Sequence, residues 1–232
     1  MTLARRTALH VLVVAKSPIP GQVKTRLCPP CSPVEAAAIA EAALADTLAA
    51  VAGCSADHKV VALDGPLGTW LPEGMHVVPQ RGRGLDERLA HAWMATRRYT
   101  GGWGVQIGMD TPQVTASELD GLLGLVSAPG RQPTAVLGPA VDGGWWTIGL
   151  PGTDPRRVFL GVPTSTRTTG RHQATRLRHL GLHVRLAARR RDIDTMADLR
   201  SVAATISGSR TAAAARHWIG EPLPVAAGSR VP

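Results

Sequence analysis

Apolar residues along the chain fall into short uninterrupted runs and into longer segments with helical spacing. Residues 9–15 form a nearly continuous, valine-rich apolar run, which is typical of a strand buried on both faces of a parallel sheet. Residues 32–52 are alanine-rich and begin with Ser32 and Pro33. A serine N-cap followed by proline in the first turn is a helix start signal, so this segment predicts a helix.

The same criteria predict the remaining elements and the fold class. Strands and helices alternate, which indicates an α/β fold: a three-layer, mostly parallel twisted sheet with helices on both faces. Ligands of such sheets bind at the carboxyl ends of the strands. The further predicted strands are residues 59–63, 75–79, 103–109, 134–137, 145–150 and 182–187, and the further predicted helices are 85–98, 115–126, 169–180 and 195–206.

The length of 232 residues, 44% of them hydrophobic, is sufficient for one α/β domain. We expect this domain to span residues 1–207, followed by a tail at 208–232 that is rich in Ala, Gly, Ser and Pro. No apolar run reaches the roughly 18 residues of a membrane span, so no membrane helix is indicated. Residues 1–15 imitate a signal peptide, but their apolar run is short and Lys16 follows it. We therefore expect a cytoplasmic protein.

Charge is distributed unevenly along the chain. Residues 1–150 hold 12 basic and 12 acidic residues, whereas residues 151–232 hold 14 arginines and 5 acidic residues and so carry the whole net charge of +9. A basic region can bind nucleic acid, but the chain has one tyrosine and one phenylalanine and lacks aromatic interleaving. We expect an anionic small-molecule substrate and no nucleic acid; a solvated arginine surface is the alternative.

The loop after the first predicted strand contains three cations. Lys16, Lys24 and Arg26 lie around Gly21, whose missing side chain lets the backbone approach an anion. Backbone N–H groups in such a loop can form an anion nest. The loop is not a Walker A sequence, because the GxxxxGK[ST] spacing is absent. The alternative is an ordinary basic surface loop.

Three aspartates follow other predicted strands. Asp110 lies just beyond a strand and before Pro112, where it can bind a cation or cap the turn. Asp192 and Asp194 alternate, so in an extended segment their side chains point to the same side. Carboxylates of this kind suit Mg²⁺, or Mn²⁺, with phosphate oxygens completing the shell. The alternative for Asp194 is a helix N-cap. The arginines at 189–191 can neutralise the carboxylates or bind a phosphate.

An Asp-Gly-Gly sequence separates two predicted strands. Asp142 and Gly143 are a strong hairpin signal. Glycines also remove side chains where a substrate touches the backbone, so Asp142, Gly143 and Gly144 are candidate substrate-binding residues. The two interpretations are compatible.

Five segments together resemble a bacterial family of GT-A-fold proteins labelled glycosyltransferase-like, within the nucleotide-diphospho-sugar transferase superfamily. The chain departs from the family pattern at Asp86, where a glycine is expected. The same segments are more distantly similar to 2-phospholactate guanylyltransferase and molybdenum cofactor guanylyltransferase. The matching segments are residues 15–27, 80–89, 108–115, 138–150 and 192–199.

The resemblance implies roles for individual residues. The early loop would hold nucleotide phosphates, and the aspartates would hold the metal ion. The turn at 142–144 would face the acceptor. The implied nucleotide-binding residues are Ala15, Lys16, Gly21, Lys24, Arg26, Gln80 and Gly84, the metal ligands are Asp110, Asp192 and Asp194, and the catalytic residues are Lys24, Arg26 and Asp110.

These observations predict a metal-dependent transferase that uses a nucleoside triphosphate or a nucleotide-sugar. The leading hypothesis is nucleotidyl transfer to a small anionic acceptor with release of pyrophosphate. Two alternatives stay open: glycosyl transfer from a nucleotide-diphospho-sugar, and a non-catalytic nucleotide-binding module. The fold by itself does not decide between them, and the sequence does not indicate an oligomeric state.

Overall fold

A computed structural model describes residues 7–219, and it contains a single seven-stranded sheet. The strand order is β3-β2-β1-β4-β6-β5-β7. All neighbours pair in parallel except β6, which is antiparallel to both β4 and β5. The predicted α/β fold with a mostly parallel sheet is therefore confirmed. The strands are β1 (His10–Lys16), β2 (His58–Asp64), β3 (His76–Pro79), β4 (Trp103–Gly108), β5 (Thr134–Pro139), β6 (Trp145–Pro151) and β7 (His183–Leu186).

Eight helices cover the sheet within the described residues, and a short 3-10 turn at Thr25–Leu27 precedes the first of them. The longest helix starts as its sequence predicts, because Ser32 and Glu35 form a capping box. The helices are α1 (Pro33–Gly53), α2 (Leu85–Thr100), α3 (Ala116–Ser127), α4 (Pro155–Phe159), α5 (Thr169–His179), α6 (Met196–Ala203), α7 (Arg210–Ala214) and α8 (Arg216–Ile219).

The two faces of the sheet have separate cores. Alternate residues of β1 point to opposite faces, as the pleat of a strand requires. Val11 and Val13 pack with apolar residues of α1 and α3. Leu12 packs on the other face with Trp93 of α2 and Phe159 of α4. The continuous apolar run of β1 therefore reflects burial from both sides.

Helix α1 is long and apolar enough, by length and composition, to cross a membrane. Half of its most apolar window is buried inside the protein. Its residues Leu44, Leu48 and Val51 belong to the core beneath the sheet. These contacts are those of a core helix packed on a sheet.

The segment that begins at residue 208 starts with two short helices that the sequence prediction placed in a tail. Asp46 of α1 accepts hydrogen bonds from the backbone N–H and the hydroxyl of Thr211, at 2.8 and 2.7 Å. Trp218 of α8 is buried against α6 and α1. The described part of the predicted tail thus packs on the domain, and residues 220–232 lie outside the described residues.

Helix α4 was not among the predicted elements. Its five residues are too few to show helical periodicity. Local signals are nevertheless present, since Asp154 accepts a hydrogen bond from the N–H of Arg156 and Pro155 occupies the first turn. Phe159 at the end of α4 is buried, and it contributes to the site described below.

Candidate active site

A cleft of about 730 Å³ lies at the carboxyl ends of the parallel strands, where ligands bind in this class of sheet. Most of the residues predicted from sequence lie on its wall. Three glycines, Gly21, Gly84 and Gly143, do not line it. The predicted residues that do are Ala15, Lys16, Lys24, Arg26, Gln80, Asp110, Asp142, Gly144, Asp192 and Asp194.

The loop after β1 places Lys24 on the wall of this cleft. The Lys24 ammonium donates to Asp110 Oδ2 at 2.8 Å and to the carbonyl of Ile193. Its side chain is only 10% exposed. Lys24 also has a left-handed backbone conformation, with φ 48° and ψ 35°. Such a conformation costs about 1 kcal/mol or more for a residue other than glycine. A strained, buried lysine paired with a carboxylate is typical of a functional site.

Arg26 and Asp194 form an ion pair at the more open edge of the cleft. The pair joins the loop after β1 to the segment before α6. The alternative role of Asp194 as a helix N-cap is wrong, because Thr195 caps α6 and forms a capping box with Asp198. The described contact of Asp194 is thus with Arg26.

Asp192 is half-buried and lies near two other aspartates. Burial, together with the nearby negative charges of Asp110 and Asp142, raises the pKa of Asp192 to about 6. Lys24 offsets this effect in part. Carboxylates that repel one another in this way fit a divalent cation, because the cation would neutralise the excess negative charge.

A complete metal-ligand set is not preformed. Among residues 7–219, no group of three or more His, Cys, Asp or Glu side chains is arranged to hold a metal ion. Asp194 is engaged by Arg26 and Asp110 by Lys24. The carboxylate that acts on Asp192 alongside Asp110 is Asp142, and not Asp194. In this structure Asp110 and Asp194, two members of the predicted trio, form ion pairs with the loop after β1.

The arginines beside Asp192 do not line the cleft. Arg190 pairs with Glu118 at 2.6 Å, and Arg191 pairs with Asp198 at 2.7 Å. Both guanidinium groups therefore tie the segment after β7 to neighbouring helices. The alternatives that these arginines neutralise the cleft aspartates or bind a substrate phosphate are not supported in this structure.

The Asp-Gly-Gly turn joins β5 to β6 as the hairpin signal predicted. Asp142 Oδ1 accepts a hydrogen bond from the N–H of Gly144 at 2.8 Å. Gly143 has φ +94°, and a Cβ there would lie 2.1 Å from the carbonyl oxygen of Arg167. The N–H of Gly170 donates to the carbonyl of Gly143 at 2.9 Å. Gly143 thus allows the start of α5 to pack on the turn.

Gln80 lies in the cleft just after β3. Its Nε2 donates to the carbonyls of Ala15 at 2.7 Å and Ala62 at 3.0 Å. These bonds join the ends of β1, β2 and β3 and leave the side-chain carbonyl of Gln80 without a partner in the described chain. Gly84 is the N-cap of α2, and Gly21 has φ +77° in an exposed turn.

The residues that line the cleft fall into two parts by their position in the chain, and the two parts differ in charge. The first, here the cationic half, is formed by lining residues between 14 and 89 and has five cations and one acid. The second, the aspartate half, is formed by residues 106–194 and has four aspartates and no lysine or arginine among the described residues. The cations are Lys16, Lys24, Arg26, Arg83 and Arg88, the acid is Asp86, and the aspartates are Asp110, Asp142, Asp192 and Asp194.

Two glutamines of the aspartate half were not recognised from the sequence. Gln106 on β4 is 3% exposed and Gln173 on α5 is 2% exposed, yet both line the cleft. The sequence signal that could have identified Gln106 is its polarity at a buried position, because it lies inside a strand that is otherwise apolar. Gln173 follows Thr169 by one helical turn on the buried face of α5.

Comparisons with known proteins agree with this architecture. Residues 35–166 match the family described as "uncharacterized protein conserved in bacteria" (DUF2064). A phosphoenolpyruvate guanylyltransferase from Thermomonospora curvata is 33% identical over 213 residues, which cover 88% of this chain and 87% of that protein.

Solved structures show the same fold. A candidate nucleotide-diphospho-sugar transferase from Desulfovibrio desulfuricans G20 superposes with a TM-score of 0.79 at 25% identity, over 90% of this chain and 94% of that one. Rv0371c from Mycobacterium tuberculosis, solved in complex with manganese, has a TM-score of 0.52 at 19% identity, over 84% and 97% of the two chains. The predicted resemblance is thereby confirmed: the chain belongs to the DUF2064 family, and it is a transferase with the fold of the nucleotide-diphospho-sugar transferases.

Proposed function

We propose that this transferase moves a nucleotidyl group from a nucleoside triphosphate to a small anionic acceptor and releases pyrophosphate. The observation that carries the proposal is the charge division of the cleft. Five cations suited to a polyphosphate line the same cleft as carboxylates suited to a divalent cation. The 33% identity to a phosphoenolpyruvate guanylyltransferase supports the same reaction class.

In this reaction an oxygen of the acceptor attacks the α-phosphorus, and the bond to the bridging oxygen of the leaving pyrophosphate breaks. Negative charge accumulates on the leaving group during this step. Lys24 lines the cleft and is held by Asp110 and the carbonyl of Ile193, so its position is fixed before a ligand binds. Arg26 and Lys16 line the same half and would bind the outer phosphates. Preorganised charge of this kind is a major source of catalysis.

A divalent cation, Mg²⁺ or Mn²⁺, would be held by Asp110 and Asp192, with Asp142 nearby. The shared negative potential at Asp192 motivates this assignment. A bound cation of this type supplies charge neutralisation for phosphate oxygens. An acceptor that is already an anion needs no general base, which agrees with the lack of any histidine among the described residues that line the cleft.

Glycosyl transfer from a nucleotide-diphospho-sugar is the second candidate. The observation that favours it is the aromatic, uncharged part of the aspartate half, where Trp145 and Phe159 lie. The Desulfovibrio desulfuricans protein supports it as well. The same cationic half would then hold the diphosphate of the donor.

Pyrophosphate release tests the leading proposal. The protein is incubated with Mg²⁺, each of the four nucleoside triphosphates and a panel of phosphorylated and carboxylated metabolites. We expect release with one triphosphate, and a melting temperature that rises with that triphosphate. Protection by nucleotide-sugars alone, with no pyrophosphate from any mixture, would favour glycosyl transfer.

A further inference from the structure

Each of the two buried glutamines of the cleft presents a defined hydrogen-bonding group, a donor or an acceptor. Neither group has a role in the proposed reaction. Gln106 and Gln173 both line the aspartate half. Each has one end of its amide bonded to the protein and the other end free, as far as the described residues show. The inference below rests on the proposed function and concerns the second substrate.

Gln106 presents a donor. Its Oε1 accepts a hydrogen bond from Trp93 Nε1 at 2.7 Å. An indole nitrogen only donates, so the partner atom must be the amide oxygen. The amide orientation of Gln106 is thereby set, and its Nε2 group, with no partner in the described chain, is left for the cleft.

Gln173 presents an acceptor. Its Nε2 donates to the carbonyl of Val158 at 3.1 Å. A carbonyl only accepts, so the partner atom must be the amide nitrogen. This bond also satisfies a carbonyl near the end of α4, where helical partners run out. The Oε1 of Gln173 has no partner in the described chain.

An aromatic wall connects the two glutamines. The ring of Phe159 lies 6.2 Å from that of Trp93 and 6.4 Å from that of Trp145. Phe159 follows Val158, the partner of Gln173, and Trp93 is the partner of Gln106. Trp145 is half-buried and lines the cleft. Gln106, Trp145, Phe159 and Gln173 together form what we call the glutamine pocket.

The four side chains of the glutamine pocket are uncharged. Among the described residues, no lysine or arginine lines the cleft between residues 106 and 194. A carboxylate or phosphate placed there would lose its hydration without a counter-ion from these residues, which is costly. Hydroxyl groups both accept and donate, so a hydroxyl-bearing ligand can pair with Gln106 Nε2 and with Gln173 Oε1.

We propose that the glutamine pocket binds an uncharged, hydroxyl-bearing group of the second substrate, with a nonpolar face of that group against Trp145. Gln106 and Gln173 are then specificity-determining residues. The charged group that reacts lies outside the pocket, beside Lys24. A compact substrate that carries only anionic groups, such as phosphoenolpyruvate, leaves both amides unsatisfied.

Direct binding measurements test this proposal. Affinities of glucose 1-phosphate, glycerol 3-phosphate and phosphoenolpyruvate are measured by calorimetry with Mg²⁺ present. The variants are Gln106→Leu and Gln173→Leu, and the control is Gln132→Leu, an exposed glutamine outside the cleft. We expect wild type to bind a hydroxylated phosphate about tenfold or more tightly than phosphoenolpyruvate, because an unsatisfied buried amide weakens binding by about that factor. Each pocket variant should lose most of this preference, and the control should keep it.

Tighter binding of phosphoenolpyruvate by wild type, or an unchanged preference in both pocket variants, would overturn the proposal. Nucleoside triphosphate affinity, measured on the same samples, verifies that each variant is folded and reports separately on the proposed function. A further comparison of UDP-glucose with UDP identifies the source of the group. If the glucose adds affinity that the pocket variants lose, the pocket binds the nucleotide donor and its assignment to the second substrate is overturned.

Discussion

The two halves of the cleft differ in charge and in how they are built. The cationic half consists largely of the loop after β1 and the first turns of α2, and each cation reaches the cleft on a long side chain. The carboxylates of the aspartate half lie on short side chains just after β4, in the β5–β6 turn and in the segment before α6. Long cations adapt to a flexible polyphosphate, whereas short carboxylates suit a small ion of defined position.

The same comparison corrects an inference from composition. Residues 151–232 hold the whole net positive charge, and we expected them to attract an anionic substrate. All five cations of the cleft come instead from the electrically neutral first part of the chain. Several arginines of the later part pair with carboxylates outside the cleft or with backbone carbonyls. Local geometry, and not net charge, determines which charges a ligand meets.

The largest effect is expected where the two halves meet. Lys24→Met removes the ammonium that links the cationic half to Asp110. We expect kcat for pyrophosphate release to fall by about 100- to 1000-fold, as for loss of a preorganised donor. The matched control is Lys59→Met, since Lys59 lies on β2 at the far end of the sheet. Equal activity of the two variants would show that Lys24 takes no part in the reaction.

Alanine substitutions at two glycines compare how well the backbone near each half accepts a side chain. Gly143→Ala, in the aspartate half, combines positive φ with a Cβ that meets the Arg167 carbonyl. Gly21→Ala, in the loop of the cationic half, has positive φ and open space. We expect the free energy of unfolding to fall by about 3 kcal/mol for Gly143→Ala and about 1 kcal/mol for Gly21→Ala. Chemical denaturation measures both, and a reversed order would contradict the rigid packing of α5 on the turn.

Asp192→Asn should have opposite effects on stability with and without metal. In a chelator it removes a half-buried charge beside Asp110 and Asp142, so the free energy of unfolding rises by about 1 kcal/mol, or about 2–4 °C in melting temperature. With Mg²⁺ or Mn²⁺ the wild type should be stabilised and the variant should not.

The sign of the pH dependence follows from the pKa of Asp192. Its folded value, about 6, exceeds the ordinary value of 3.8, so the destabilising charge is fully present above pH 6 and disappears below about 3.8. The advantage of Asp192→Asn in chelator should therefore shrink as the pH falls. A constant difference between pH 8 and pH 5 would contradict the assignment.

The smallest effect is expected at the exposed rim. Arg83→Gln removes a cation of the cationic half, and Arg185→Gln removes an exposed arginine of β7 that does not line the cleft. We expect nucleotide affinity to weaken about 3- to 5-fold for Arg83→Gln at low salt and to stay unchanged for Arg185→Gln. Calorimetry at two salt concentrations measures the nucleotide affinity of both variants. Equal losses of affinity would indicate that the overall positive charge of the protein, and not a local site, attracts the nucleotide.

The sequence predicted the elements of the fold well because their signals are local. Burial of β1 on both faces shows in its apolar run, and the start of α1 shows in its serine and proline. The strand-to-loop positions of Lys24, Asp110 and Asp192 were also predictable, since the carboxyl ends of parallel strands meet at one edge. Helices α4 and α7 escaped prediction because short helices lack periodicity.

The sequence by itself determined which residues lie at the edge of the sheet. Strands and helices alternate, so the loops that follow the parallel strands all lie at the same edge. Tertiary structure alone decided the pairing there. Lys24 and Asp110 are 86 residues apart, and Arg26 and Asp194 are 168 apart. Strand order and loop paths set these contacts, and they also determine which amide ends of Gln106 and Gln173 stay free. No local pattern encodes a partner that is chosen by the fold of the whole chain.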